Sequence, residues 1–369
     1  MEDRIVKLAK NIVNYSINCQ PGEKVLIQAR DADKKIVTAL IREVYNAGGL
    51  PFVNESSAEI NKEVLKNLSK EAARIKSENE LALMKQMDCF ISIKGENNKF
   101  ELSDIGEEQL KINNLAFDKV HKERVKNTKW VILISPTPAF AQSAKMSTEQ
   151  FEDFYYNVCT LDYSKMSKAM DALVDLMQRT DKVRLVAPDT DISFSIKGIP
   201  AVKCAGEMNI PDGEVFTAPV RNSVNGRIHY NIPTTYNGTC FNGVCLDVVA
   251  GKIVKATSDN TDILNSILDT DANSRYFGEF SLGVNPFIRK ACNDILFDEK
   301  MCGSIHFTPG SCYEDEAPNG NVSAIHWDMV LSMMPEYGGG EIYFDDVLIR
   351  KDGVFVIPEL LPLNPENLL

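Results

Sequence analysis

Residues 24–53 read KVLIQARDADKKIVTALIREVYNAGGLPFV, and their pattern is that of a strand, a helix and a second strand. The apolar run at residues 24–29 predicts a buried strand, and the helical periodicity of residues 32–47 predicts an amphipathic helix. Gly48 and Gly49 end that helix before a short strand at residues 50–53. Two strands joined by such a helix form a parallel βαβ unit.

The same alternation continues to about residue 180. The predicted elements are two helical stretches within residues 59–87, helices at residues 107–125, 148–158 and 163–180, and strands at residues 89–93 and 130–134. We therefore expect a Rossmann-like α/β domain over residues 1–182, with a mainly parallel sheet covered by helices on both faces. This half contains neither GxGxxG nor a P-loop, so a nucleotide site of the usual kind is not indicated.

The pattern changes after residue 182, where short strand-like runs alternate with Gly, Pro and Asn turns. The long helical stretch in this half lies at about residues 259–271. Closely spaced strands with such turns predict an antiparallel, β-rich α+β domain over residues 183–369. The polar residues with chemical potential are concentrated in this second predicted domain, where we expect a metal site.

Composition excludes several classes of protein. The 369-residue chain is 44% hydrophobic and 25% charged, with a net charge of -12 and a pI near 5.0. An acidic chain is repelled by the negatively charged phosphate backbone of nucleic acids, so we expect no nucleic-acid partner. Apolar runs stay below the roughly 18 residues of a membrane span, and a secretory pattern is lacking. The nine cysteines form no CxxC pair. We therefore expect reduced thiols, a cytoplasmic location and no membrane partner.

Histidine is scarce, which makes its placement informative. The chain has four histidines, and His326 stands two residues before Asp328 in a strand-like run at residues 322–330. Strand side chains alternate, so these two point to the same side. The pair suits either a divalent metal or a plain hydrogen bond. His306 lies 20 residues earlier in another predicted strand that ends at Gly310.

Two glutamates complete a possible donor set. Glu214 and Glu279 stand in apolar sequence, where a carboxylate must be paired, bound to metal or turned to solvent. Tyr313 follows His306, although most tyrosines are packing residues. Three carboxylates and two imidazoles exceed the roughly three protein ligands of a single catalytic ion. They suit two ions that share a carboxylate.

At these residues the sequence resembles the aminopeptidase T and aminopeptidase S family of metallo-aminopeptidases. The blocks that carry the resemblance are NIPDGEVFTAP at residues 209–219 with Arg221, Gly278-Glu279, Asp298-Glu299-Lys300, His306, Tyr313 and His326-Trp327-Asp328. They follow the family's order across roughly residues 180–360. After His306 the chain reads Phe-Thr-Pro-Gly, where the family pattern leads us to expect Ile-Ala-Leu-Gly.

The resemblance implies a dinuclear metal site. The implied ligands are Glu214, Glu279, His306, Tyr313, His326 and Asp328. It also implies release of N-terminal residues from peptides with a free N-terminus, a homodimer, and two ions of cobalt, zinc, manganese or magnesium. For catalysis we expect Glu214 or Glu279 as general base and Tyr313 or Arg221 as donor to the oxyanion. Asp298 or Glu299 is a possible acceptor for a ligand histidine.

Two other functions stay open on the same scaffold. The sequence is also similar to a ring-cleaving dihydroxypyridine dioxygenase, which implies a single iron held by His306, His326 and Asp328. Retention of both Glu214 and Glu279 argues against one iron. A binding protein without catalysis is the third reading, and the complete ligand set argues against it.

Overall fold

The computed structural model describes residues 2–369. Up to residue 180 helices predominate, and a π-helical turn at Asn11–Ser16 extends the first of them. The elements are α1 (Glu2–Lys10), β1 (Lys24–Arg30), α2 (Lys34–Asn46), β2 (Leu50–Ser56), α3 (Ala58–Lys66), α4 (Lys70–Met84), β3 (Cys89–Lys94), α5 (Glu107–Asn127), β4 (Lys129–Ile134), α6 (Pro138–Ser143), α7 (Thr148–Cys159) and α8 (Tyr163–Arg179).

Strands predominate in the rest of the chain, and Pro335–Tyr337 and Pro358–Leu363 form 3₁₀ turns. The elements are β5 (Lys182–Ala187), β6 (Thr190–Ser195), β7 (Val202–Cys204), β8 (Asn209–Ile210), β9 (Glu214–Thr217), β10 (Asn225–His229), β11 (Thr234–Tyr236), β12 (Thr239–Phe241), β13 (Cys245–Val249), β14 (Lys252–Thr257), α9 (Thr261–Leu268), β15 (Phe277–Gly283), α10 (Ile295–Asp298), β16 (Ser304–Pro309), β17 (Val330–Ser332), β18 (Glu341–Phe344), β19 (Val347–Lys351), β20 (Val354–Phe355) and α11 (Pro365–Leu368).

The chain forms two compact units. The first comprises the residues up to Thr160 together with Gly206–Pro211, and the second comprises Leu161–Ala205 and Asp212–Leu369. The boundary predicted between residues 182 and 183 lies after α8, a helix that belongs to the second unit. Among residues 2–369, no helix combines the length and the apolar character needed to cross a membrane.

The first unit is built on a parallel sheet with the strand order β2-β1-β3-β4-β8. Its central strands are almost wholly apolar, and Val25, Ile27, Ile91 and Val131 are fully buried. Strands buried on both faces need such continuous apolar runs. α2 begins where the Asp33 carboxylate accepts the backbone N–H of Lys35. The predicted α/β architecture of this half is confirmed.

The second unit contains two larger antiparallel sheets, as predicted. One has the order β14-β13-β10-β6-β5-β18-β19-β20, and the other has the order β17-β16-β15-β9-β7. In the second of these sheets every residue of β15 and β16 is buried. Polar side chains on those two strands are therefore enclosed and must find partners within the protein.

The strand predicted at residues 322–330 is wrong in extent. In the structure His326 makes an isolated bridge to Gly310, and regular pairing begins only with β17. At the start of this segment the carboxylate of Asp271 accepts the backbone N–H of Ala324 and the hydroxyl of Ser323, so regular pairing does not begin there. Side chains thus satisfy polar groups that a ladder would otherwise pair.

Candidate metal centre

Three neighbouring strands and one extended segment bring five of the predicted ligands together in the second unit. Glu214 opens β9, Glu279 lies within β15, and His306 lies within β16. β15 pairs with both other strands, with a bulge between Phe277 and Glu279 against β16. Bulges re-aim side chains and are common beside active sites. His326 and Asp328 come from the segment that precedes β17.

Glu279 stands at the middle of the cluster and is 3% exposed. Its Oε1 lies 3.2 Å from Nε2 of His306, and its Oε2 lies 3.2 Å from Nε2 of His326. Two groups of potential ligands therefore overlap at this residue, namely Glu214, Glu279 and His306, and Glu279, His326 and Asp328. Within each group the donor atoms lie within 4.8 Å of one another.

Both histidines are held by their other ring nitrogen. Nδ1 of His306 donates to the backbone carbonyl of Glu299 at 3.3 Å, and Nδ1 of His326 donates to that of Ser311 at 2.8 Å. A carbonyl oxygen only accepts, so the proton stands on Nδ1 and the Nε2 atoms face the carboxylates. Metal-bound histidines are oriented in this manner. The expected acceptors, the side chains of Asp298 or Glu299, are replaced here by backbone carbonyls.

The donor set fits a divalent metal. Nε2 of His326 is buried, yet it has no hydrogen-bond partner of acceptable geometry among residues 2–369. It nevertheless lies 3.2 Å from a carboxylate oxygen of Glu279 and 3.2 Å from one of Asp328. An imidazole nitrogen and carboxylate oxygens that converge in this way form a donor set that borderline and hard cations bind.

The electrostatics of the cluster agree with this interpretation. Burial lowers the pKa of His306, but the carboxylates of Glu214 and Glu279 outweigh it and raise that pKa to about 10. Burial likewise opposes the effect of Asp328 and Glu279 on His326, whose pKa rises to about 12. Without a metal both imidazoles are therefore positively charged, and their charge balances that of the surrounding carboxylates.

The two groups differ in their access to solvent. Glu214 and His306 are buried, whereas the side chains of His326 and Asp328 are 26% and 17% exposed. Oδ1 of Asp328 also accepts a hydrogen bond of 2.6 Å from the hydroxyl of Thr308. The group formed by Glu279, His326 and Asp328 is therefore the open side of the centre.

Glu214 is held on the closed side. Its Oε1 accepts from the ammonium of Lys300 at 2.5 Å, and its Oε2 accepts from the hydroxyl of Ser281 at 3.1 Å. Oε2 also lies 3.4 Å from Nε2 of His306. Sequence reasoning assigned no role to Lys300, Ser281 or Thr308. Lys300 was part of the Asp298-Glu299-Lys300 block, but nothing in the local sequence indicates that it is buried.

Tyr313 and Arg221 lie in different surroundings. The Tyr313 ring packs edge-on against His326 with centroids 5.0 Å apart, and the residue is 43% exposed. The Arg221 guanidinium donates to the side chains of Asn321 and Asn273 and lies over the ring of Tyr276. The structure thus brings Tyr313 to the open side, and the contacts of Arg221 are with residues outside the donor set. Their roles stay predictions.

Close backbone packing supports the geometry of His326. A Cβ at Gly278 would lie 2.1 Å from the carbonyl oxygen of Ser311, the acceptor of His326 Nδ1. A side chain at this position would displace that carbonyl. The glycine before Glu279 therefore serves the orientation of His326.

Comparison with known proteins identifies the family of this chain. Residues 1–355 match the family described as thermophilic metalloprotease (M29). Aminopeptidase 2 from Geobacillus stearothermophilus is 23% identical, over 95% of each chain. The structure of wild-type AmpT from Thermus thermophilus superposes with a TM-score of 0.82 at 20% identity, covering 96% of this chain and 100% of that one.

A second solved structure shares the fold. The 2,5-dihydroxypyridine dioxygenase from Pseudomonas putida KT2440 superposes with a TM-score of 0.64 at 13% identity, over 98% of this chain and 99% of that one. At this identity the likeness concerns the fold alone. The family match extends over nearly the whole sequence and confirms the enzyme class predicted from it, a hydrolase of the metallo-aminopeptidase type. The chain belongs to the thermophilic metalloprotease (M29) family.

Proposed function

We propose that this protein is a two-metal aminopeptidase, which removes N-terminal residues from peptides with a free N-terminus. The observation that carries the proposal is the position of Glu279 in two donor groups at once. Its two oxygens face two different imidazoles. A carboxylate shared in this way suits a pair of ions, as in two-metal hydrolases. We propose Tyr313 as a sixth ligand, on the strength of its contact with His326.

Two divalent ions, for which we propose cobalt, zinc, manganese or magnesium, would lower the pKa of a water molecule toward neutrality and polarise the scissile carbonyl. Glu214, Glu279 and His306 would hold one ion, and Glu279, His326 and Asp328 would hold the other. The second group is the more exposed, so we place the substrate's α-amino group and scissile bond on that side. Its acidic character favours a positively charged N-terminus.

The proton-transfer roles follow from the contacts of each side chain. Glu214 or Glu279 is proposed as general base, whichever of the two is not fully committed to metal. Without metal, desolvation and the charge of Glu279 raise the pKa of Tyr313, so its hydroxyl carries a proton in that state. This supports Tyr313 over Arg221 as the oxyanion donor, because Arg221 is already bonded to two asparagines.

The test is a metal titration of the stripped protein with cobalt or manganese, following hydrolysis of a leucyl arylamide. We expect activity that saturates at two ions per chain and disappears with His326→Ala. The N-acetylated arylamide should not be cleaved, since an exopeptidase needs the free amine. Absence of hydrolysis with every ion, together with tight binding of a single iron, would replace this proposal with the mononuclear dioxygenase.

We also propose three further features of the protein. The resemblance to the aminopeptidase T and S family supports a homodimer, which light scattering during gel filtration tests. The nine cysteines, an odd number without a CxxC pair, support a cytoplasmic location, which cell fractionation tests. We also propose two domains, residues 1–182 and 183–369, and expression of residues 183–369 alone tests that division.

A further inference from the structure

Lys300 lies among acids next to the candidate metal centre. Its side chain is 1% exposed, and its ammonium lies 2.5 Å from Oε1 of Glu214, 2.8 Å from Oε1 of Glu299 and 3.5 Å from Oδ1 of Asp212. A buried ammonium is costly unless it is paired and hydrogen-bonded, and three carboxylates provide that pairing. Lys300 is thus a fixed positive charge in the wall of the site.

The same acids belong to a third group of potential metal ligands. Donor atoms of Cys204, Asp212 and Glu214 lie within 4.8 Å of one another. Two members of this group are contacted by Lys300. An ammonium and a divalent ion about 3 Å apart repel strongly in a buried site, so they do not share these oxygens. The lysine occupies the place that an ion would need.

We propose that Lys300 is a positioning residue that acts through Glu214. Its ammonium donates a hydrogen bond to Oε1 of Glu214. Oε2, which lies 3.4 Å from Nε2 of His306, therefore stays available to the metal centre. Lys300 also prevents the group of Cys204, Asp212 and Glu214 from binding a metal ion. The inference rests on the proposed two-metal function and deepens it, because it makes Glu214 a one-oxygen ligand and limits the chain to two ions.

The experiment is cobalt loading of the folded protein, with the metal counted by mass spectrometry and visible absorption recorded. The wild type should hold two ions without a sulfur-to-cobalt charge-transfer band. In Lys300→Met we expect binding of the Glu214-side ion to weaken at least about tenfold, the usual effect of losing a group that orients a ligand. We also expect a sulfur-to-cobalt band, which the double variant Lys300→Met/Cys204→Ser should lack.

Cys204→Ser in the wild-type background keeps the test decisive even if Lys300→Met does not fold. It should retain two ions at wild-type affinity, because Lys300 keeps cobalt away from this thiol. Loss of an ion in Cys204→Ser, or unchanged affinity and spectrum in a folded Lys300→Met, would overturn the inference. Lys351→Met is the matched control, since it removes a lysine from an exposed pair with Glu341 in the same unit.

The two proposals fail in different ways. If the wild type binds no pair of ions and hydrolyses no arylamide, the proposed function is wrong. If the wild type is a two-metal aminopeptidase and the Lys300 and Cys204 variants depart from expectation, only the role of Lys300 is wrong.

Discussion

The carboxylate of Glu279 lies 3.2 Å from the imidazole of His306, inside the pairing of two fully buried strands. This contact has no solvent to compete with it, and the second oxygen of Glu279 is turned to another histidine. The residue therefore joins the closed and open sides of the centre. Its replacement should affect both.

Glu279→Gln keeps the shape of the side chain but removes a charged oxygen donor. We expect loss of at least one ion and a fall in kcat/KM of about 100-fold or more, the upper range for groups that only orient ligands. Metal analysis and arylamide kinetics measure the two effects. Glu341→Gln, at an exposed acid of the same unit, should change neither. A Glu279→Gln protein with two ions and full activity would contradict the bridging role.

Metal binding should release protons. The folded, metal-free protein keeps His306 and His326 protonated, with pKa values of about 10 and about 12, whereas an unfolded histidine titrates near about 6.5. Metal ligands must be neutral imidazoles, so about two protons per chain should appear on cobalt addition at pH 8. A weakly buffered pH measurement detects them, and His326→Ala should release fewer. No release would contradict the assignment.

The same shifts predict how the stability of the metal-free protein depends on pH. Because folding raises the pKa of His306, protonation of its imidazole stabilises the folded protein. This contribution is complete below about pH 6.5 and is lost as the pH rises through about 10. We therefore expect the Tm of the metal-free protein to fall between pH 7 and pH 10. The metal-loaded protein should lack this fall, because its imidazoles carry no proton to lose.

Thr308 should tune the open side of the centre. Its hydroxyl donates 2.6 Å to Oδ1 of Asp328, and the family pattern leads us to expect alanine at this position. Thr308→Val keeps the side-chain volume but removes the donor, so binding of one ion should weaken about tenfold. Isothermal titration with cobalt measures this, and Thr308→Ser should restore the affinity. Equal affinities in all three proteins would show that the hydrogen bond is not used.

Arg350 should act on stability. It is buried and donates to the backbone carbonyls of Gly283 and Ser304, at the ends of the strands that carry Glu279 and His306, and to that of Gly353 in the turn after β19. Arg350→Met leaves three buried acceptors unpaired, which should cost about 3 kcal/mol or more. Urea unfolding measures the loss. Lys351→Met, at the exposed neighbour, should stay within about 0.5 kcal/mol of the wild type.

Much of the fold was accessible from the order of residues along the chain. Burial on both faces produces continuous apolar runs such as residues 24–29, and helix amphipathicity produces the periodicity of α2. The segment before β17 was misjudged because its alternation is genuine, while the backbone N–H of Ala324 bonds to the Asp271 side chain and backbone bonds to residues 307–311 begin only at Ile325. Ile325, Trp327 and Met329 are buried, and His326 and Asp328 face the site, without a strand around them.

The α/β and β-rich halves and the family could thus be predicted from residue order, and so could the five side chains that the structure brings together, because residue type and short spacing carry that information. How these side chains are held could be seen only in the folded protein. The ammonium of Lys300 meets Glu214 across 86 residues, and Thr308 meets Asp328 across 20. Backbone carbonyls orient both histidines. Such contacts depend on how distant strands pair, and local patterns do not encode that pairing.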